Sequence, residues 1–323
     1  MTTIYLTQET HLTGDYAATI GFFDGVHRGH QYLVKQLREQ AAVRGLQSMV
    51  VTFDRHPRQV VQPDWQPLQL STAEEKEQLL AETGVEKLVV LPFDKQMASL
   101  TALDFMRKVL KEQLSVSMLL TGYDNHFGHR QQGKTEGFDD YVRYGKETGI
   151  DVICGAPFYI PGCTNAVSSS LVRRLLNEGR VGEATLCLGR PYELCGIVEH
   201  GEQMGRKMAF PTANISVDSC RMIPKRGVYA VRVLGNPKSN TSWKMGMTNI
   251  GLRPTFDGHK QTIETHIFDF NGDLYGQQLS IQFVARLRDE QSFENAEALV
   301  RQMQADEQAA RKILTSYPSP LTS

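Results

Sequence analysis

Two histidines three residues apart, His27 and His30, follow directly on Gly21-Phe22-Phe23-Asp24-Gly25-Val26. Three residues is close to one helical turn, so in a helix both imidazoles share a face. An apolar, strand-like run precedes them and an amphipathic, helix-like run follows. The pair therefore opens a helix, where backbone N–H groups are free and the dipole favours phosphate. Gly29 leaves room for a phosphate to approach the backbone. Imidazoles placed there can donate hydrogen bonds to phosphate oxygens as a nucleophile attacks the α-phosphorus of ATP and pyrophosphate leaves.

A second group is Ser168-Ser169-Ser170-Leu171-Val172-Arg173. Serines at a helix start cap free N–H groups. The same hydroxyls can cradle phosphate, with Arg173 adding charge one turn on. A third group is Gly201-x-x-x-Gly205-Arg206 leading into Phe210-Pro211-Thr212-Ala213-Asn214. Glycine-rich loops can wrap phosphates through backbone N–H groups. Thr212 and Asn214 are neutral oxygen donors suited to a Mg²⁺ that keeps waters and phosphate oxygens. By local chemistry alone the serines read as a cap and Pro-Thr-Ala-Asn as an ordinary turn. Ile263-Glu264-Thr265-His266, Asp269 to Gly276 and Leu287-Arg288-Asp289-Glu290 follow in order.

The elements that must position these groups change character along the chain. In the first half, strand-like runs (17–23, 48–53, 87–92, 116–121, 151–154) alternate with helix-like ones (31–44, 71–80, 103–113, 138–148, 171–178). Ser71-Thr72-Ala73-Glu74-Glu75 holds two overlapping capping boxes. This alternation predicts βαβ units and a Rossmann-like parallel sheet, with ligands beyond the carboxyl ends of its strands. The 21–30 turn and the 122–128 loop fall at such ends. After about residue 186 strands dominate (194–199, 227–234, 243–250, 262–268, 279–285), with Asp257-Gly258 and Gly272-Asp273 as hairpin-type turns. One long helix, 293–314, follows. The pattern predicts an antiparallel β-barrel or sandwich closed by a helix, and domains over 1–184 and 185–323. The tail 316–323, with Pro318 and Pro320, is expected to fray.

The chain has 323 residues, 41% hydrophobic, with 35 basic and 36 acidic side chains. That balance gives no global electrostatic reason to expect nucleic acid or an anionic membrane as partner. No apolar run approaches about 18 residues and no signal peptide is apparent, so a soluble cytoplasmic protein is expected. Five cysteines, an odd count with no Cys-x-x-Cys, argue against a disulfide framework and a zinc site. Oligomeric state stays open, since no heptad or long apolar edge is visible.

The histidine and serine groups together resemble the paired signatures of the nucleotidyltransferase superfamily. The fuller string from Gly21 to His30, with Thr52-Phe53-Asp54-Arg55-His56-Pro57 and Gly122-Tyr123-Asp124-Asn125-His126-Phe127-Gly128, resembles its FMN adenylyltransferase branch. Asn125 and His126 depart from the usual aromatic and basic residues. The segment from about Leu188 to Leu314 resembles the riboflavin kinase family, with Ala209 where glycine is usual. In this order the two cover nearly the whole chain, as in bacterial bifunctional riboflavin kinase/FMN adenylyltransferases.

The resemblance implies phosphorylation of riboflavin by ATP and adenylylation of the FMN formed, both with Mg²⁺. It implies that His27 and His30 are catalytic in adenylylation. Gly21, Phe22, Asp24, Gly29, Asp124, Ser169, Ser170 and Arg173 would hold the nucleotide, and Gly201 and Gly205 that of the kinase. Glu264 would be the kinase general base, Thr212 and Asn214 would hold the metal, and Arg288 would lie near the flavin. Phe127 would face flavin in the first domain, although an aromatic there serves a core as readily.

Overall fold

β1 (Thr2–Tyr5), β2 (Tyr16–Ile20), β3 (Gln47–Phe53), β4 (Lys87–Leu91), β5 (Val116–Thr121) and β6 (Asp151–Cys154) form one sheet in the order β1-β4-β3-β2-β5-β6. Every neighbouring pair is parallel. The computed structural model describes residues 1–62, 68–123, 127–129, 136–199, 210–235, 242–255 and 258–317. β2 is buried along its whole length because both faces are covered, as parallel sheets require. Ala18 and Ile20 enter an apolar cluster with Val51 and Leu119, while Ala17 enters another with Leu37 and Met118. Strand order runs one way from β2 to β4 and the other way from β5 to β6. The reversal lies between β2 and β5, and ligands of such sheets bind beyond the carboxyl ends at that point.

β2 stops at Ile20 rather than running on to Phe23. Phe23 (φ 56), Gly25 (φ 74) and Val26 (φ 36) adopt left-handed backbone, which no strand can use. A β-branched residue in that region is strained, and strain of this kind gathers at functional turns. The following helix, Arg28–Arg44, starts three residues earlier than the pattern predicts. β1 and the short helices Pro57–Val61 and Val181–Leu188 are further elements beyond the sequence reading.

The second half forms β7 (Tyr192–Glu199), β8 (Ala213–Ser216), β9 (Gly227–Gly235), β10 (Lys244–Thr255), β11 (Gly258–Ile267) and β12 (Gln278–Arg288). They close into a barrel in the order β10-β11-β8-β7-β12-β9, every pairing antiparallel, which resolves barrel against sandwich. Closure removes the sheet edges. The last helix, Ala296–Ser316, packs on β9, β10 and β12. It starts later than residue 293 because the Asn295 side chain caps it, accepting from the Ala298 N–H at 2.8 Å.

The chain divides into two compact units, Met1–Ser169 and Ser170–Ser323. The change of sequence pattern near 184/185 marks where strands take over. The division falls earlier because the preceding helices belong to the barrel. Val181–Leu188 packs on β7 and β12, and Lys225 N–H donates to the Leu176 carbonyl at 2.9 Å.

Candidate active sites

In the first unit the turn after β2 carries the histidines. His27 is the N-cap of the Arg28–Arg44 helix, and its Nδ1 accepts from the His30 N–H at 3.3 Å. A neutral His27 therefore carries its proton on Nε2. The two rings stack at 3.6 Å between centroids. His27 is buried and the His30 Nδ1 is enclosed without a hydrogen-bond partner among the described residues. A buried ring nitrogen without a protein partner can hydrogen-bond a ligand. Burial, then the neighbouring His27 and Lys76, hold His30 well below its ordinary 6.5, so it is neutral at physiological pH.

Four expected nucleotide residues have packing roles in this turn. The buried Asp24 carboxylate accepts from the Leu70 N–H at 2.9 Å and the Ser71 N–H at 3.2 Å, stapling that loop to the turn. The Ser169 hydroxyl donates to the Asp24 carbonyl at 3.0 Å. A Cβ at Gly29 would meet the Val167 carbonyl at 2.7 Å and the His27 ring at 3.0 Å, so the space there is already filled by protein. Glycine at 29 thus serves the stacking of the turn, a reason different from phosphate approach. A Cβ at Gly21 would crowd the Phe23 ring at 3.2 Å, and that ring in turn meets His30 edge-on at 5.0 Å.

Phe22 lies under the Lys76 ammonium, 4.4 Å from its ring centre, and meets His56 edge-on at 4.8 Å. Lys76 had no signal in the sequence, since it sits in an ordinary amphipathic helix. Phe127 stacks on Tyr141 at 4.4 Å within the main cluster, so one face of its ring is taken. Gly128 (φ 85) comes so close to the Ala102 backbone that no side chain fits. Ser170, exposed, and Arg173, half-buried, lie on the helix Ser169–Asn177, beyond the division between the units. Asp124, Asn125, His126, Gly201, Gly205, Arg206, Ala209, Asp257 and the tail beyond 317 lie outside the described residues.

In the barrel, register alone assembles the second site. Glu264 on β11 pairs with Asn214 on β8 and with Asn249 on β10, and Asn249 pairs with Val228 on β9. Directly paired residues share a face, so these side chains form one row. Val228 pairs with Arg288 on β12, which extends the row. Asn249, Glu264 and Arg288 line a cavity of about 330 Å³ walled on its apolar side by Phe210, Met247 and Met303. The alternation of β11 turns Thr265 and Ile267 the other way, into a cavity of about 670 Å³ bordered by Asn271, Asp273 and Tyr275. Thr212 lines both cavities.

His266 escaped the sequence reading as a site residue. It lines the smaller cavity, and its Nδ1 lies 2.8 Å from the Pro211 carbonyl. A carbonyl only accepts, so Nδ1 carries the proton and ties β11 to the segment that presents Thr212. At the end of the row, Arg288 donates to Asp306 through Nη2 at 2.7 Å and Nε at 2.9 Å. Among the described residues no three His, Cys, Asp or Glu side chains gather to hold a metal by themselves, and no helix is long and apolar enough to cross a membrane.

Comparison with known proteins matches the two halves separately. The riboflavin kinase family model covers residues 188–314 and the FAD synthetase family model residues 9–170. The chain is 37% identical over 294 residues to the bifunctional riboflavin kinase/FMN adenylyltransferase of Escherichia coli (strain K12), across 91% of each chain. It is 35% identical over 318 residues to the protein of that description from Listeria monocytogenes, across 96% of this chain and 98% of that one. A crystal structure described as a macrolide-efflux protein from Streptococcus pneumoniae superposes with a TM-score of 0.85 at 30% identity, over 96% of this chain and 99% of its own.

Proposed function

The chain belongs to the bifunctional riboflavin kinase/FMN adenylyltransferase family, and from that premise we propose how its two units divide the work. The barrel phosphorylates riboflavin to FMN with ATP. The Rossmann-like unit transfers the adenylyl group of a second ATP to FMN, giving FAD and pyrophosphate.

One observation carries the kinase assignment: Thr212 borders both cavities, and Glu264 stands beside it in the smaller one. A two-substrate transfer needs such a meeting point. The largely apolar cavity suits the flavin rings, and the larger one suits ATP. Glu264 accepts the proton of the terminal ribityl hydroxyl as that oxygen bonds to the γ-phosphorus. The bond from the γ-phosphorus to its bridging oxygen breaks and ADP leaves. In a loose transition state a carboxylate need only orient the hydroxyl and take its proton late.

A divalent cation, Mg²⁺, would be held by Thr212 and Asn214 together with phosphate oxygens, and would neutralise phosphate charge. The donor set fits: neutral oxygens near a cavity suit an ion that takes its anionic ligands from the substrate.

In the first unit an FMN phosphate oxygen attacks the α-phosphorus of ATP. His27, with its proton on Nε2, and His30 hydrogen-bond the phosphate oxygens on which charge develops. The free N–H groups of the helix they open add to this. A cytoplasmic location, where ATP and riboflavin meet, suits the work of both units.

The test is a time course of purified protein with riboflavin, ATP and Mg²⁺, resolving the flavins by chromatography. FMN should rise and then give way to FAD. FMN that accumulates without FAD would refute the role of the first unit, and absence of any product from folded protein would refute both.

A further inference from the structure

We infer that Lys76 is a positioning residue of the histidine site, one that joins the strand ends beneath the turn and acts on His30 through its charge. This rests on the reading of His30 as an adenylyl-transfer residue. Lys76 lies on the helix Ala73–Glu82 and is 7% exposed. Lysine is almost never so buried without a carboxylate against it. Here the ammonium meets neutral groups: the Phe53 carbonyl at 3.1 Å, the Thr52 hydroxyl at 3.3 Å and the face of Phe22 at 4.4 Å. Thr52 in turn donates to the Phe22 carbonyl at 3.2 Å. The ammonium thus links the carboxyl end of β3 to the first residues after β2.

The helix that carries Lys76 is itself fixed to the turn. Its start is held by a reciprocal Thr72–Glu75 cap, and the residues just before it bind Asp24. A charge held so firmly against the first residues of the histidine turn has an electrostatic consequence. The titratable groups that act on His30 are His27 and Lys76, and both disfavour its protonation. Those that act on Lys76 are Asp24 and Asp54, which oppose the burial that pulls its ammonium down to about 8. Lys76 therefore stays mostly charged at neutral pH. His30 neutral can hydrogen-bond a phosphate oxygen at one nitrogen without being locked into an ion pair with it.

The test combines histidine side-chain NMR titration of the full chain, which has nine histidines, with pH profiles of FAD formation from FMN and ATP. His30→Gln assigns the resonance. In Lys76→Met the His30 titration should move up by roughly one pH unit, the effect of removing a nearby like charge. The acid limb of FAD formation should move with it, and the rate near neutrality should fall roughly tenfold or more. Lys76→Arg should return both titration and limb toward wild type. Riboflavin phosphorylation should be the same in all of them. An unmoved His30 titration in folded Lys76→Met overturns the inference.

If Lys76→Met does not fold, Thr52→Val keeps the charge and removes one contact. It should slow FAD formation while leaving His30 where it is in wild type, and an unchanged rate counts against the positioning role. A wild-type His30 that titrates at its ordinary pH overturns the inference by itself. Full FAD formation by His30→Ala would instead unseat the reading of the site.

Discussion

The rings of His27 and His30 stack with centroids 3.6 Å apart and planes 20° from parallel, at the first turn of the helix that follows β2. Two imidazoles this close resist double protonation, and burial adds to that resistance at His30. Removing either ring removes a hydrogen-bonding group at the proposed adenylyl-transfer site. His27→Ala and His30→Ala should each lower FAD formation by about 10²–10³-fold while FMN formation continues. Separate assays with riboflavin and with FMN as starting flavin read the two steps independently.

The depressed His30 also predicts an acid sensitivity of the fold. Unfolded His30 takes a proton near its ordinary 6.5, whereas the folded chain takes it only well below that. Between those two values the unfolded state binds more protons, so stability falls as pH falls through that window. His30→Gln has no such proton to gain. Its melting temperature should change less than that of wild type between neutral pH and mildly acidic buffer, read by circular dichroism or fluorescence.

Glu264 and Asn214 are paired across β8 and β11, so the proposed base and a proposed metal donor are placed by one register. A one-residue slip would separate this pair and turn Glu264 away from the cavity. Glu264→Gln keeps the shape and removes the proton acceptor. Riboflavin phosphorylation should fall by about 10²–10⁴-fold, with FMN-to-FAD conversion intact. Chromatography of the flavins after each half-reaction checks this, and a kinase rate within a few-fold of wild type would remove Glu264 as base.

Both folds were legible where the sequence repeats a pattern. Alternating strand and helix runs pointed to the parallel sheet, and the turn-rich second half to a barrel or sandwich, which the closed pairing settles as a barrel. What escaped was set by tertiary context. β8 is four residues long, and its first two belong to Pro-Thr-Ala-Asn, which reads locally as a turn. The stop of β2 at Ile20 follows from the left-handed Phe23 and Val26, and no local preference announces such backbone in those residue types. Lys76 and Asp24 show the same limit in the site. An amphipathic helix does not reveal that one of its lysines will be buried. Asp24 in a glycine turn reads as a ligand residue, and nothing local reveals that its carboxylate binds the backbone of a loop 46 residues on.

Gly29 makes that point testable. Its missing side chain is occupied by the Val167 carbonyl and the His27 ring. Gly29→Ala should therefore displace His27 from its stack and lower FAD formation strongly, with little change in riboflavin phosphorylation. The ATP dependence separates the accounts. Displacement of His27 predicts a loss mainly in kcat, whereas blocked phosphate approach predicts a loss mainly in KM for ATP.

Arg288 and Asp306 offer a last test, because they join the barrel to its closing helix at the wall of the smaller cavity. Asp306 is 5% exposed and receives Arg288 at 2.7 and 2.9 Å, with Gln302 donating to its other oxygen at 2.9 Å. Breaking a buried pair from one side strands the remaining charge, at a cost of about 3–5 kcal/mol. Asp306→Ala should therefore lower the melting temperature of the barrel and raise the KM for riboflavin, since Arg288 loses the contact that holds it beside the cavity. The double variant Arg288→Leu/Asp306→Leu removes both charges together. It should recover much of the melting temperature, because no unpaired charge stays buried, but it should not recover the KM if the guanidinium contacts flavin. Recovery of both would mean that the pair only fastens the helix. Recovery of neither would mean that packing around residue 306, rather than its charge, sustains this wall of the cavity.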